Sequence, residues 1–249
     1  SSKLNVKDIR FIPISALVGD NVVNKSENMP WYQGGTLIHE LETVHISSDL
    51  NHVDCRFPIQ TVIRPHREGF QDFRGYAGRI EGGVFKPGDA IKALPSGFTT
   101  KVKEIYVGGK TVDEAFSPMS VTMTLEDEID ISRGDMLVRE NNSPEIQQNL
   151  ELLVTWMNEK PLTSSRKLLV KHTTIETKAM VGDILYEVDI NTLHRNEGVT
   201  ELGLNSIGRI NLRVAQSFFT DHYKRNRSTG SLILIDPQTY ETVGAGMVI

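Results

Sequence analysis

Residues 73–94 read Phe-Arg-Gly-Tyr-Ala-Gly-Arg-Ile-Glu-Gly-Gly-Val-Phe-Lys-Pro-Gly-Asp-Ala-Ile-Lys-Ala-Leu. Two strand-sized segments, Tyr76–Glu81 and Asp89–Leu94, are expected to pair as a β-hairpin through Gly82-Gly83 and Lys86-Pro87-Gly88. Glycine inside the first segment lets a strand bend or another backbone approach closely. Such short segments leave no room for crossover helices between them. They point to a closed barrel rather than a parallel sheet.

The same rhythm runs through most of the chain. Phe57, Ile59, Thr61 and Ile63 alternate with Pro58, Gln60 and Val62, and a loop rich in charge and glycine follows over Arg64–Phe70. Lys101–Val107, Ser120–Leu125 and Asp135–Arg139 supply three further strands, and Asn141–Gln148, with Ser143-Pro144 inside it, reads as a polar hinge. Beyond it come Leu152–Met157, Lys167–His172, Ala179–Asp189, Arg209–Val214, Ser231–Ile235 and Thr242–Ile249. Ile210, Leu212 and Val214 alternate with Asn211 and Arg213, as a half-buried antiparallel strand requires. Leu232–Ile235 is apolar throughout, so both its faces are expected to be covered. The fold class is all-β, with two consecutive closed β-barrels over residues 53–142 and 146–249.

Residues 1–50 differ. Arg10–Ile14 reads as the end of a strand, Ser15-Ala16-Leu17 follows, and Gly19-Asp20-Asn21 makes a turn. Residues 24–35 are polar and irregular. A helix is expected from Leu37, with Leu37, Ile38, Leu41, Val44 and His45 three and four apart and Thr36 as N-cap. Ser47–His52 is a polar linker, and the first domain boundary falls there.

Composition excludes several classes. A net charge of −5 over 249 residues does not fit a sequence-independent polyanion binder, so nucleic acid is an unfavoured partner. The single cysteine, Cys55, cannot form an internal disulfide and fits a reducing cytosol. No apolar run approaches the ~20 residues that span a bilayer, and the opening Ser1-Ser2-Lys3 has no secretory pattern. A cytoplasmic protein without a membrane partner is the expectation.

Several motifs in order carry a family resemblance. Phe11-Ile12-Pro13-Ile14-Ser15-Ala16-Leu17 resembles the last guanine-binding motif of small and translational GTPases. Met29-Pro30-Trp31-Tyr32, followed by Gly-Gly-Thr-Leu-Ile-His-Glu-Leu-Glu, resembles the segment closing the nucleotide domain in the branch that includes sulfate-activating GTPases. Residues 72–78, Asp-Phe-Arg-Gly-Tyr-Ala-Gly, are similar to the Asp-Phe-Arg-Gly-Phe/Tyr-Ala-Gly of the GTPase subunit of sulfate adenylyltransferase, as is the Arg64-Pro65-His66 and Phe70 stretch upstream. Val154–Leu162, Tyr186–Asn191, Leu204–Gly208, Asn226–Gly230 and Leu232–Gly246 resemble further stretches of that subunit. Elongation factors share only the final Thr-Val-Gly-Ala-Gly.

That resemblance implies a body of two barrels behind the C-terminal remnant of a GTP-binding domain. The backbone N–H of Ala16, within Ser15, Ala16 and Leu17, would meet the guanine O6. The intact enzyme would couple GTP hydrolysis, with GTP and Mg bound, to forming adenylyl sulfate and pyrophosphate from ATP and sulfate. Its partner would be the small catalytic subunit, which carries the adenylyl transfer. No Gly-x-x-x-x-Gly-Lys-Ser/Thr occurs, so this chain alone is expected neither to hold a nucleotide cofactor nor to hydrolyse GTP. A translation elongation GTPase whose barrels clasp aminoacyl-tRNA, and an autonomous β-barrel interaction module, are the alternatives.

Other patterns carry less. Asn24-Lys25-Ser26-Glu27 lies after the Ser-Ala-Leu, whereas the guanine-specificity motif lies before it, and reads as a solvated loop. His52 and Cys55 form half a zinc site at most. Ser217, Asp221 and His222 lack a nucleophile elbow, and adjacent Asp and His do not form a relay. Glu126-Asp127-Glu128 and Lys224-Arg225-Asn226-Arg227 read as solvated loops.

Overall fold

The structure is a computed structural model that describes residues 9–44, 50–65 and 73–249. His45, the linker residues 47–49, and His66, Phe70 and Asp72 of the resembling motifs lie outside the described residues. The chain divides into two compact units, Ser1–Asp49 and Leu50–Ile249.

The first unit holds one helix, α1 (Leu37–Thr43), whose N-cap is Thr36: its hydroxyl accepts from His39 N at 3.3 Å. No residue of α1 is buried, and Ile38, Leu41 and Val44 are exposed, so its apolar stripe lacks a cover among the described residues. The strand expected at Arg10–Ile14 does not form. A strand needs a neighbour for its ladder, and among the described residues of this unit only two isolated bridges occur, Ser15 to Asp20 and Asp20 to Asn24.

The second unit begins with β1 (Arg56–Pro58), β2 (Thr61–Ile63), β3 (Gly75–Arg79), β4 (Val84–Phe85), β5 (Ala90–Leu94), β6 (Thr99–Val107), β7 (Lys110–Val112), β8 (Ala115–Phe116), β9 (Ser120–Leu125) and β10 (Met136–Arg139). Their antiparallel order is β1-β10-β5-β6-β9-β3-β2, with β7 added to β6. The end strands β1 and β2 are separated by Ile59 and Gln60 alone. Ile59 N donates to Asp135 O (2.8 Å) and Gln60 N to Ala77 O (2.9 Å), so this segment is bonded toward both ends of the sheet. Phe57, Ile59, Tyr76, Phe85, Ile91 and Met123 fill the core beneath.

The expected hairpin of Tyr76–Glu81 with Asp89–Leu94 is not present. β3 pairs with β2 and β9, and β5 pairs with β10 and β6. The segment between them is too long for a two-residue turn. It forms β4, which pairs with β8, while Gly83 N donates to Asn51 O at 2.7 Å. Gly78 meets the sequence expectation of close approach: a Cβ there would lie 2.3 Å from Pro58 O.

The C-terminal part contains β11 (Glu145–Trp156), β12 (Leu162–Thr163), β13 (Lys167–His172), β14 (Ile175–Val188), β15 (Arg195–Asn196), β16 (Glu201–Leu202), β17 (Ile207–Thr220), β18 (Ser231–Ile235) and β19 (Thr242–Val248). The order β13-β18-β19-β11-β17-β14, with β14 pairing back on β13, closes a six-stranded antiparallel barrel. Inward-facing Leu150, Leu152, Val154 and Trp156 alternate along β11 with residues that face out. The polar hinge is shorter than expected, because Glu145 already pairs with Thr220 and the strand runs on from there. Leu232–Ile235 is not covered throughout: Leu232, Leu234 and Ile235 are buried, whereas Ile233 is exposed. Leu94, Met136 and Val138 from the preceding sheet join the barrel's apolar core cluster.

Candidate functional site

In the first unit, Asn21 organises the loop that carries Ser15, Ala16 and Leu17. Its φ of +55° is left-handed, a conformation asparagine tolerates better than most residues. Its buried side chain donates to Pro13 O (2.9 Å) and accepts from Ser26 N (2.9 Å), and its carbonyl accepts from Leu37 N (2.9 Å). One residue thereby joins the segment before Ser15, the polar loop and the start of α1. Asn24-Lys25-Ser26-Glu27 is part of this frame, since the Ser26 hydroxyl donates to Asp20 at 2.7 Å.

Ser15 N donates to Asp20 O (3.2 Å) and Gly19 N to Ser15 O (2.8 Å), closing a small turn. At its tip Ala16 is exposed and Leu17 is 95% exposed. The amides of Ala16 and Leu17 have no backbone acceptor among the described residues. Amides of a tight turn that lack a backbone acceptor can donate to a carbonyl oxygen. Trp31, of the Met-Pro-Trp-Tyr segment, is exposed and meets Tyr32 edge to face at 6.3 Å.

The second unit holds a polar joint that local sequence patterns did not reveal. Arg56, at the start of β1, is fully buried, and its Nε and Nη2 donate to the two carboxylate oxygens of Asp221 at 2.8 Å each. Its Nη1 donates to Cys55 O (2.8 Å), Asn142 O (2.7 Å) and Asn142 Oδ1 (2.8 Å). A buried charge is tolerated when it is paired and hydrogen-bonded in this way. Thr229 Oγ1 donates to Asp221 at 2.6 Å, and Thr229 O accepts from Nε2 of His172 at 2.9 Å. Because a carbonyl only accepts, Nε2 carries the proton and His172 Nδ1 is left as a buried acceptor without a partner. Burial pulls the His172 pKa down, so the ring is neutral and stacks on Phe218 at 4.9 Å.

Beside it, Asp54 accepts from Arg225 Nε (2.7 Å), Asn142 Nδ2 (2.7 Å) and Asn51 Nδ2 (2.7 Å). Burial alone would raise its pKa. The hydrogen bonds from Arg225, Asn142 and Asn51, with the Arg225 charge, overcome this and hold the carboxyl well below the usual range. Asn226 donates to Glu81 O at 3.0 Å. The cluster Lys224–Arg227, expected as a solvated turn, therefore sends Arg225 and Asn226 into the joint. Asp221 faces Arg56 rather than Ser217, which removes the hydrolase triad. Cys55 is buried, with Sγ on Val84 O at 3.3 Å. His52 packs edge to face on Phe116 at 6.3 Å, and no metal-binding cluster occurs among the described residues.

The motif residues of the barrel are structural anchors. Trp156 is fully buried, donates from Nε1 to Lys160 O (2.9 Å) and lies under the guanidinium of Arg166 at 4.9 Å. Tyr186 carries Arg195 on its ring at 4.7 Å.

Residues 149–249 match the GTP-eEF1A C-terminal domain-like family model. The chain is 46% identical over 254 residues to sulfate adenylyltransferase subunit 1 of Bacteroides thetaiotaomicron, covering 99% of this chain and 52% of that protein. Over nearly its whole length the chain is similar to sulfate adenylyltransferase subunit 1. A second such protein, from Alteromonas mediterranea, is 45% identical over the whole chain and 52% of its own length. The bifunctional enzyme CysN/CysC of Mycobacterium tuberculosis is 49% identical over 250 residues, covering 41% of that protein. The chain thus spans about half the length of these subunit 1 relatives. Among solved structures, Sup35 complexed with GDP superposes with a TM-score of 0.71 at 19% identity, over 98% of this chain and 59% of that one. Elongation factor SelB of Methanococcus maripaludis gives 0.62 at 19% identity, over 86% and 45%. These two likenesses show that the chain has an elongation-factor-like fold. No helix among the described residues is long and apolar enough to cross a membrane.

Proposed function

We propose that this chain is the barrel portion of the GTPase subunit of sulfate adenylyltransferase, preceded by the end of its GTP-binding domain. In that enzyme GTP hydrolysis drives formation of adenylyl sulfate and pyrophosphate from ATP and sulfate. The observation that carries this reading is the 45–49% identity to subunit 1 and CysN/CysC proteins over the whole chain. Residues 1–50 end the nucleotide domain, and the exposed Leu17, Trp31 and Leu41 are the side chains it would cover. Residues 53–142 and 146–249 form the two bodies behind it. The turn at Ser15, Ala16 and Leu17 donates its free amides to the guanine of GTP. Mg and the phosphates belong to a phosphate-binding loop that this sequence lacks.

The partner is the small, catalytic subunit in the cytoplasm. The joint at Arg56 and Asp221 makes the second unit one body, so a nucleotide-driven shift would move all of it as a piece. The test is size-exclusion chromatography of this chain with the second subunit of a bacterial sulfate adenylyltransferase. Co-elution, with no GTP turnover by this chain alone, is expected. Failure to co-elute, together with capture of aminoacyl-tRNA, would replace the proposal with a translation factor.

A further inference from the structure

The outer surface of the C-terminal barrel carries a cationic depression. It has a volume of about 480 Å³ and lies across β13, β14 and β17. Register explains its composition. Lys167 pairs with Met180, and Met180 with Arg213, so the three form one row across three strands. Leu169 pairs with Lys178 in the next outward row. Leu168, Ala179 and Val214, between these rows in sequence, point into the core. Lys167, Lys178 and Arg213 thus surround Met180, which is 44% exposed, and Leu169 and Pro237 complete an apolar floor.

Three features decide what this surface fits. None of the residues lining it is acidic, and Lys167, Lys178 and Arg213 have no carboxylate partner among the described residues. Asp236, next to the rim residue Pro237, is engaged by Arg166 at 3.4 Å. Lys167 and Arg213 are two strand spacings apart, about 10 Å, so like charges converge on Met180 from both sides in a protein whose net charge is −5. The floor is apolar, and methionine adapts its shape to whatever side chain is laid on it. A nucleic acid would use the cations but not the floor, and the depression holds no aromatic ring on which a base could stack.

We propose that this face docks an acidic segment of the second subunit, with carboxylates over Lys167, Lys178 and Arg213 and one apolar side chain on Met180. The partner's identity rests on the function proposed above, whereas the chemistry of the segment rests on the surface alone. Charge complementarity of this kind orients a partner and speeds its association.

The experiment compares binding of the second subunit by wild type, by the charge-reversal variant Lys167→Glu/Lys178→Glu/Arg213→Glu, by Met180→Asp, and by a control, Lys101→Glu/Lys103→Glu, on β6. Circular dichroism confirms folding of each, and Lys178→Ala/Arg213→Ala serves if the triple variant does not fold. Weakening by at least ~10-fold in the reversal variant and Met180→Asp, with the control unchanged, is expected. Unchanged binding in both would overturn the docking site and leave the proposed function standing. If wild type does not bind the second subunit, the partner assignment falls. The surface is then decided by titration with a short Asp/Glu peptide carrying one leucine and with duplex RNA of equal charge. Peptide binding that is lost on charge reversal would retain the acidic-segment site, and no peptide binding, or tighter binding of the RNA, would overturn it.

Discussion

Arg56 and Asp221 meet in two parallel hydrogen bonds of 2.8 Å although 165 residues separate them in the chain. One opens the first strand of the second unit and the other follows the last residue of β17. Both are almost wholly removed from water, with side-chain exposures of 0% and 4%. Such a pair contributes little net stability compared with apolar residues of the same size, but losing one partner strands the other charge.

Arg56→Met is therefore expected to cost about 3–5 kcal/mol, because Asp221 would remain buried with only Thr229 as donor. The double variant Arg56→Met/Asp221→Leu should recover most of that loss. Urea unfolding of the two variants checks both statements. A single variant within ~1 kcal/mol of wild type would show that water reaches the joint.

Asp54 predicts the acid side of the stability curve. Its folded pKa lies below the unfolded value of about 3.9, so its contribution is complete above that pH and is lost as pH falls through the folded value. Stability should decline below about pH 4, with a shallower slope in Asp54→Asn. At neutral pH that variant should lose about 1.5–3 kcal/mol with its charged hydrogen bonds. Thermal melts from pH 7 to pH 3 measure both effects, and parallel curves for the two proteins would contradict them.

His172 acts at a higher pH in the same direction. Burial depresses its folded pKa, so the unfolded chain takes up a proton first, below about pH 6.5. Stability should fall from pH 7 toward pH 5, and His172→Phe should flatten that part of the curve. The variant leaves Thr229 O without its donor and should be less stable at pH 7 by about 1–3 kcal/mol. Retention of the wild-type slope in His172→Phe would assign the titration to another group.

Asn21 controls the loop in the first unit. Asn21→Ala loses the bonds to Pro13 and Ser26 and keeps a Cβ in a left-handed conformation without the side-chain hydrogen bonds that let asparagine tolerate it, a strain of about 1–2 kcal/mol. Asn21→Gly loses the same bonds without that strain. Amide exchange at Leu37 and Ile38, which donate to Asn21 O and Val22 O, should accelerate more in the alanine variant than in the glycine variant. Equal exchange in all three proteins would show that the loop is held by other contacts.

The strands were legible wherever one face is wet. Ile210, Leu212 and Val214 alternate with Asn211 and Arg213 because the barrel has an inside and an outside. Thr36 was legible as a cap because its partner, His39, is three residues away. The partners of β3 and β5 were not, since alternation gives the face of a strand but not its neighbour. The joint was hidden for a similar reason. Arg56, Asp221 and Arg225 read one at a time as surface charges, and only the folded sheets bring them together. Of the expected guanine loop, sequence gave Ser15, Ala16 and Leu17, but nothing local marked Asn21 as its support.

The joint also changes what the hinge between β10 and β11 has to do. Residues 54–56, 81–82 and 221–229 hold one another directly, and Leu94, Met136 and Val138 are embedded in the barrel core. The peptide link at Ser143-Pro144 is thus redundant as a tether. A chain nicked there would migrate as one particle, and two halves produced as separate polypeptides would reassemble by complementation.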